Sequence, residues 1–494
     1  MPELVLPDSL AECHAMIRQL LTIVQHEHTQ YEALASRFAA LEARVNQNSG
    51  NSSRPPSSNF GKNTPNNTPK QTTQPGIPKD IKPQGGQKDH TGNTLHKVEK
   101  PDDIVQLSTP FCTCGQYLPI EQAEIAQTYQ VFDLPQPTLY VTEYQRLRQK
   151  CSCGLVHLGA LPHHIHATVQ YGSGVRALTT LLSNSCQLSY QKVRTLFHDL
   201  FGYDLNESTA LTNNQFIYEA LAPTEERIKS ALLQSETVHF DESGLKVNKT
   251  LFWLHTACST VLTYLFVHEK RGKKAHTDST SILHKFKNWA IHDCFSTYFG
   301  FTNCRHALCN PHLLRELTFQ KEQGKLWATQ IHDFLLDIYI RTEKGNIIIE
   351  NIQSVKEQWQ KICQNAIILE EILLAQRTPP PELSLFESQP KKRGRKPRGK
   401  ALTLLDRLFL HTDAILAFAE FQAVPFSNNQ AERDIRPIKT KLKVAGCFRT
   451  TDGANRYARI QGFISTCRKN NINVFIELKK IAENPFSYVA PFGC

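Results

Sequence analysis

The sequence has no long hydrophobic run, which excludes the usual means of crossing a membrane. A transmembrane helix needs roughly 20 consecutive apolar residues, and no stretch of the chain approaches this length. The opening residues MPELVLPDSL also lack the basic-then-apolar layout of a secretory signal peptide. We therefore expect a cytoplasmic protein without a membrane partner.

Cysteines and acidic residues are both in short supply. Fourteen cysteines among 494 residues are too few for a disulfide scaffold, so closely spaced pairs are candidates for metal binding. The 46 acidic residues are outnumbered by 56 Lys and Arg, which leaves a net charge of +10. This excess favours a polyanionic partner, nucleic acid ahead of an anionic membrane surface, and the length predicts several domains.

The N-terminal segment, residues 1–46, carries a heptad pattern. Its apolar residues recur three and four apart: Leu10, Cys13, Ile17, Leu20, Val24, Tyr31, Leu34, Phe38, Leu41 and Val45. This spacing is typical of a coiled-coil seam, in which Glu27 occupies a core position that lowers stability and can fix the register. We predict a homo-oligomer that assembles through this helix. A helix packed on its own chain is the alternative.

Residues 47–100 are rich in Asn, Ser, Thr, Pro and Gly and carry few large apolar side chains. Such a segment cannot bury enough surface to fold, so we predict a disordered basic and polar linker. It serves either as a plain tether or as an arm that lies along DNA through Arg54 and its lysines.

The segment 101–165 contains two short cysteine pairs. Each pair has the spacing Cys-x-Cys-Gly, and the four residues are Cys112, Cys114, Cys151 and Cys153. Four thiolates would form a closed tetrahedral site for a structural Zn²⁺. The spacing is shorter than the usual Cys-x-x-Cys, and His157 is available as a substitute ligand. We predict a small zinc-finger-like β segment, with a redox or merely buried cluster as the alternative.

Residues 166–235 show a helical pattern. Apolar residues recur at i, i+3, i+4 and i+7 in Val193, Leu196, Phe197 and Leu200. Ser189 is a candidate N-cap for this helix and Gly202 a natural stop. Together with a helix over 175–182 and another that opens near Ser208, the pattern predicts a helix-turn-helix. A helical bundle without a DNA role is the alternative.

Residues 236–312 change to a strand-like period. The runs ETVHFDESGLKV, TLFWLHTACST and VLTYLFVHEK are rich in β-branched and aromatic residues and predict three successive strands. A helical stretch near DSTSILHKFKNW and a further strand in AIHDCFSTYF follow. This order predicts an α/β domain with a mixed sheet.

Asp241 and Asp293 are the first two candidate catalytic residues. Each follows an apolar run, and we place both at strand ends, where functional sites collect. A carboxylate in such a place costs free energy unless something neutralises it, and a divalent metal does so while binding phosphate oxygens. A structural Asp is the commoner role for one such residue, so a third carboxylate decides the prediction.

Glu432 is that third residue. It lies near the start of a helix that Asn428 or Asn429 can cap. The basic residues Arg436, Lys439 and Lys443 follow on the same helical face, and Arg433 and Arg449 lie nearby. One acid beside a cationic stripe suits a site that holds a DNA backbone.

The three carboxylates suit two Mg²⁺ or Mn²⁺ ions, because hard ions prefer oxygen ligands. Asp241 would bridge the ions, with Asp293 on one and Glu432 on the other. Such a site can use water to nick a DNA end and then use the freed 3′-hydroxyl to attack a second DNA. Metal-dependent phosphodiester transfer is therefore the predicted chemistry.

Two further features have open interpretations. Cys309 and His312 follow Asp293 and either orient the active site, touch a metal or form a packed core pair. The tract KKRGRKPRGK, residues 391–400, is too basic and too rich in Gly and Pro to fold alone. Its residues Arg393, Arg395 and Lys396 are candidates for insertion into a DNA minor groove, with a solvated loop as the alternative.

Several motifs, taken in order, resemble the insertion-sequence-66 transposase family. They are NSSRPPSSNFGK, GGQKDHTGNTLHKVEKPDDIV, the four-cysteine segment, VQYGSGVRAL, HFDESG, PFSNNQAERDIRPIK and KVAGCFRTTDGA. The resemblance implies an RNase H-like catalytic domain over 236–312 and 425–480, with Asp241, Asp293 and Glu432 as its acid triad. It also implies a mostly helical insertion over 313–424, between the two parts of the catalytic domain. A C-terminal tail, residues 481–494, follows the second part.

The same resemblance implies partners. The chain would bind double-stranded DNA at transposon ends and at a target, and would associate with the nucleoid when bound. Elements of this type can encode accessory proteins, so proteins from the same element are further candidate partners of the chain. The alternatives are an RNase H-like nuclease that cuts without joining and a decayed DNA-binding protein that has lost catalysis.

Overall fold

The computed structural model describes residues 9–45, 47, 51, 95–162, 164–376 and 398–492. They form two compact units. One unit comprises Tyr171–Ser189 and Leu211–Cys494 together with Met1–Pro78, and the other comprises Lys79–Gln170 and Tyr190–Ala210, each as far as described. In these ranges no helix is both long enough and apolar enough to span a lipid bilayer.

Helix α1 spans Leu10–Val45. Seven side chains of its heptad seam are more than half exposed: Ile17, Leu20, Val24, Tyr31, Leu34, Phe38 and Leu41. The seam is therefore available to a partner helix, and self-association stays a prediction. Most of the predicted linker lies outside the described residues, as do Arg393, Arg395 and Lys396.

Two short strands and four helices follow. Strands β1 (Arg148–Lys150) and β2 (Val156–Leu158) form an antiparallel hairpin. The helices are α2 (Ser173–Thr180), which continues into a π-helical turn at Leu181–Ser185, α3 (Tyr190–Phe201), α4 (Glu207–Ala220) and α5 (Ala222–Gln234). Gly202 ends α3 as predicted, because its φ of +70° lies in the left-handed region and its N–H bonds to the His198 carbonyl.

A five-stranded mixed sheet forms the centre of the larger unit. Its strands are β3 (Thr237–Val247), β4 (Thr250–Cys258), β5 (Thr263–His268), β6 (Trp289–His292) and β7 (Arg305–Leu308), with helix α6 (Lys273–Thr277) before β6. The spatial order is β5-β4-β3-β6-β7. Strands β3, β4 and β5 are antiparallel, whereas β6 and β7 run parallel to β3. The predicted mixed α/β class is confirmed.

Three details of the strand prediction are wrong. Asp241 lies within β3 rather than at its end, because the turn at Asn248 and Lys249, with φ of 45° and 67°, closes a hairpin that pairs β3 along β4. The DSTSILHKFKNW stretch forms only a 3-10 turn at Leu283–Lys285. Strand β6 ends at His292, and the prediction missed the separate strand β7.

The chain between β7 and the last helices is helical in its described residues. Its helices are α7 (Asn310–Glu322), α8 (Leu326–Arg341), α9 (Ile352–Gln376), α10 (Lys400–Leu410) and α11 (Thr412–Glu420). Trp359 is buried between them and donates its indole N–H to the Leu408 carbonyl at 2.9 Å. Their core continues onto the sheet through Ile291 and Leu308.

Helices α12 (Asn429–Ala445), α13 (Thr451–Lys469) and α14 (Val474–Glu483) complete the unit. Asp434 of α12 is buried, and its carboxylate accepts hydrogen bonds from Lys469 Nζ at 2.6 Å and Thr263 Oγ1 at 3.2 Å. Gly462 lets α13 approach β5 closely, since a Cβ there would lie 3.1 Å from the Thr263 carbonyl oxygen. These contacts hold α12 and α13 on the sheet.

Candidate active site

The register between β3 and β6 places Asp241 and Asp293 side by side. The parallel pairing of β3 with β6 ends at His239 opposite Ile291. Two further residues on each strand reach the two aspartates, so both emerge beside each other where β6 ends. Because β6 ends at His292 while β3 continues to Val247, the site lies beside the middle of β3.

Glu432 reaches these aspartates because the start of α12 is fastened to both strands. The Asn428 side chain donates to the Phe240 carbonyl at 2.8 Å, next to Asp241. The Asn428 N–H donates to Cys309 Sγ at 3.1 Å, and the Cys309 N–H donates to the His292 carbonyl at 2.9 Å. Three segments distant in sequence are thus joined at residues that precede the three acids.

The pKa shifts of the three acids show that their charges influence one another. Burial raises the pKa of Asp241 well above its usual value, and the carboxylates of Glu242, Asp293 and Glu432 raise it further. Burial also raises the pKa of Asp293 and that of Glu432, and Asp293 adds to the latter. Three crowded carboxylates that repel one another form a site that favours a cation.

His239 supports the same connection. Burial lowers its pKa to about 4, so the imidazole is neutral at physiological pH. Its Nδ1 lies 2.8 Å from Asn428 Oδ1. Because the Asn428 amide nitrogen already donates to the backbone, Nδ1 carries the proton and donates to Oδ1.

Glu242 is a buried carboxylate that the sequence reasoning missed. Its side chain is 1% exposed and accepts hydrogen bonds from Arg271 Nε at 2.6 Å and from the Tyr298 hydroxyl at 2.5 Å. Burial raises its pKa, and Asp293 raises it further. The Arg271 guanidinium lies 4.2 Å from the Phe295 ring centre. The adjacent Asp-Glu pair was the available signal, since neighbouring residues on a strand point to opposite faces.

Cationic residues surround the acids. The five that the sequence analysis assigned to DNA and that are described are all exposed: Arg433, Arg436, Lys439, Lys443 and Arg449. Although Lys439 is exposed overall, partial burial lowers the pKa of its amine, and the Asp241 carboxylate partly offsets this shift, so Lys439 lies close to the site. Arg315 of α7, which was not predicted, and Arg436 lower the pKa of Glu432.

Cys309 and His312 lie at this site rather than in a separate core. Their ligand atoms and a Glu432 carboxylate oxygen all lie within 4.8 Å of one another. The His312 Nε2 atom is 3.7 Å from Glu432 Oε1. Burial raises the pKa of the Cys309 thiol to about 12 and lowers that of His312 to about 3.

The four cysteines predicted to bind zinc form two matching turns. In each turn the first cysteine N–H bonds to the carbonyl four residues on at 2.8 Å, and the following glycine has a φ of +91°. Backbone and side-chain hydrogen bonds from the second cysteine lower the pKa of the first, in Cys112 and in Cys151. Among the described residues, however, the four thiols are not gathered into one set of ligands.

A mixed sheet that carries clustered carboxylates beside an exposed cationic helix is typical of enzymes that process nucleic acids. The model of the Transposase IS66 family matches residues 168–456, more than half of the chain. The chain therefore belongs to the IS66 transposase family, a family of DNA-processing enzymes. The matched range includes all three acids and ends before the close of α13.

A second model, described as a family of unknown function (DUF6444), matches residues 3–96. This range contains α1 and most of the predicted linker. The cysteine turns fall between the two matched ranges. No curated protein matches the chain.

Proposed function

We propose that the chain is a DDE transposase of a bacterial insertion sequence, which binds the ends of its element and catalyses metal-dependent cleavage and strand transfer. The convergence of Asp241, Asp293 and Glu432 carries this proposal. These acids come from two strands and a helix, and their placement depends on the bonds of Asn428 and Cys309. A structural role for one acid would not require the other two beside it.

The donor set fits a divalent metal. Every group offered by the triad is a carboxylate oxygen, which Mg²⁺ and Mn²⁺ prefer. Burial raises the pKa of Asp241 and of Glu432, neighbouring carboxylates raise both further, and a bound cation would favour the ionised form of each acid. Mg²⁺ or Mn²⁺ bound by Asp241, Asp293 and Glu432 would activate the attacking oxygen and stabilise the leaving oxygen.

The surrounding side chains hold the DNA. Arg436 and Lys439 follow Glu432 by one and two helical turns, so their charges lie beside the acids and can pair with phosphates. Water attacks phosphorus at the transposon end, the bond to the 3′-oxygen breaks, and a 3′-hydroxyl is released. That hydroxyl then attacks a target phosphodiester and displaces the target 3′-oxygen, while its proton passes to solvent.

The remaining segments have supporting roles in this proposal. The sheet order and strand directions support an RNase H-like domain. The helical pattern of residues 166–235 would supply a helix-turn-helix for the transposon ends. The two cysteine turns would close on a structural Zn²⁺ if they approach each other. The exposed seam of α1 would join two copies of the chain, and accessory proteins of the element would complete the assembly.

A strand-transfer assay tests the proposal. The full-length protein is mixed with a labelled transposon-end duplex and a target plasmid in Mg²⁺ or in EDTA. The variants are Asp241→Asn and Glu432→Gln, and Glu236→Gln is the matched control, since Glu236 is exposed and lies just before β3. We expect joined product only with Mg²⁺ and only in the wild type and the control.

Other outcomes have distinct meanings. Cleavage without joining would favour a nuclease, or a transposase that lacks its accessory partner. End binding without either reaction would favour a DNA-binding protein without catalysis. Loss of both binding and cleavage in Asp241→Asn would mean that Asp241 is structural.

A further inference from the structure

Cys309, His312 and Glu432 bring three different ligand types together. Cys309 is the N-cap residue of α7, and His312 lies in the first turn of the same helix. Glu432 lies in the first turn of α12. The two helix starts face each other closely enough that a sulfur, a nitrogen and an oxygen atom lie within 4.8 Å of one another.

A hydrogen bond between His312 and Glu432 does not account for this arrangement. The 3.7 Å between His312 Nε2 and Glu432 Oε1 exceeds the length of a hydrogen bond, about 2.7 to 3.2 Å. His312 Nδ1 is buried, and no hydrogen-bond partner for it exists among the described residues. A nitrogen and an oxygen ligand on one tetrahedral ion, with metal–ligand bonds of about 2.0 to 2.2 Å, stand about 3.3 to 3.6 Å apart. The His312–Glu432 separation of 3.7 Å is slightly longer than that spacing, so a small movement would bring both atoms onto one ion.

The cysteine is held as metal-bound cysteines are. Cys309 Sγ accepts the N–H of Asn428 at 3.1 Å, and such outer hydrogen bonds orient a ligand toward its ion. Cys309 and His312 are three residues apart at the start of α7, so their side chains lie on the same side of the helix and can reach one ion. A thiolate and an imidazole favour soft ions over Mg²⁺, so the cluster differs in chemistry from the all-carboxylate triad.

We propose that Cys309, His312 and Glu432 form a second metal site, which binds a zinc-class transition-metal ion and overlaps the carboxylate triad through Glu432. Three protein ligands leave one position of a tetrahedral ion for water. Cys309 binds as the thiolate, so each ion that enters releases its proton to solvent.

Because Glu432 belongs to both metal sites, occupation of one site affects the other. Glu432 cannot serve both sites fully, so an ion held by Cys309 and His312 withdraws it from Asp241 and Asp293. Zinc would then inhibit DNA joining even when Mg²⁺ is abundant. This consequence rests on the proposed function, whereas metal binding itself does not.

A cobalt titration of the full chain tests the binding. Co²⁺ reports thiolate ligation through its sulfur-to-metal absorption, and circular dichroism checks that each variant is folded. In Cys309→Ser and His312→Gln we expect one class of Co²⁺ sites to weaken by about 10-fold or more. Cys304→Ser is the matched control, because Cys304 is also a buried cysteine but lies at the opposite end of β7 from Cys309, where its thiol donates to the Phe301 carbonyl. Cys112→Ser identifies any signal from the cysteine turns.

Unchanged Co²⁺ affinity and absorption in folded Cys309→Ser and His312→Gln would overturn the proposal. If either variant does not fold, the Co²⁺ titration is repeated with Glu432→Gln, because the Glu432 side chain is 30% exposed and tolerates the change. Unchanged Co²⁺ affinity in that variant would then overturn the proposal. In the strand-transfer assay with Mg²⁺, the rate of each protein is compared with its own rate without zinc. Added Zn²⁺ should lower this ratio in the wild type and Cys304→Ser but not in Cys309→Ser. Equal inhibition of all three would refute the overlap. Absence of joining without zinc would count against the proposed function alone, because the Co²⁺ titration tests metal binding without it.

Discussion

Replacement of Asn428 by alanine removes the connection between α12 and β3. The Asn428 side chain is 2% exposed, and it bonds to the Phe240 carbonyl and to His239 Nδ1 at 2.8 Å each. In Asn428→Ala both of these buried groups lose their partner. Glu432 lies one helical turn further along α12, so its position relative to the aspartates depends on the same bonds.

The expected cost follows from the two unpaired groups. Each buried donor or acceptor left without a partner costs about 1–3 kcal/mol. Because water can enter part of the space that the side chain leaves, we expect a loss of about 2–4 kcal/mol in the free energy of unfolding. We also expect strand transfer to fall by about 10- to 100-fold, because a misplaced catalytic group loses its orientation.

Urea unfolding followed by tryptophan fluorescence measures the first effect. The chain has four tryptophans, Trp253, Trp289, Trp327 and Trp359, and all lie in the larger unit. Thr440→Ala is the control, since Thr440 is exposed on the same helix. An unfolding free energy of Asn428→Ala within about 0.5 kcal/mol of the wild type would refute the reasoning.

Three other predictions concern pH, salt and assembly. Burial raises the folded-state pKa of Asp241, Asp293 and Glu432, so their ionisation destabilises the metal-free fold, and stability falls as pH rises through those raised values. Thermal unfolding should then show Mg²⁺ stabilising the protein more at high pH, and an equal Mg²⁺ effect at every pH would contradict this. Binding of a DNA duplex, measured by fluorescence anisotropy, should weaken steeply with salt, with the slope reduced by about 1 in Lys439→Gln; a flat salt response would exclude phosphate contacts. Deletion of residues 1–45 should lower the number of subunits per particle in light scattering, and an unchanged number would remove the coiled-coil prediction.

The cysteine turns illustrate how far a local pattern reaches. Each Cys-x-Cys-Gly sequence forms the tight turn that its glycine permits, and Gly115 and Gly154 have the same φ of +91°. Whether Cys112 and Cys151 approach each other depends on the 38 residues between them, which contain only short regular elements. The Cys-x-Cys spacing does not predict how those residues fold. The zinc site therefore stays a prediction.

The sequence by itself determined what depends on near neighbours. Heptad spacing predicted the long helix α1, Gly202 predicted the end of α3, and helical spacing placed Arg436 and Lys439 beside Glu432. Its ordered motifs also indicated the family that the comparison shows. Such features are readable because turns, caps and helical periods involve residues only a few positions apart.

Only the tertiary structure decided how the acids meet. Asp241 lies inside a strand because β4 pairs along it, and it lies beside Asp293 because β6 ends at His292. The burial of Glu242 and the fastening of α12 by Cys309 likewise depend on partners far away in sequence. Strand register and helix docking are set by packing between distant segments. The hydrophobic periodicity of a single segment does not predict either of them.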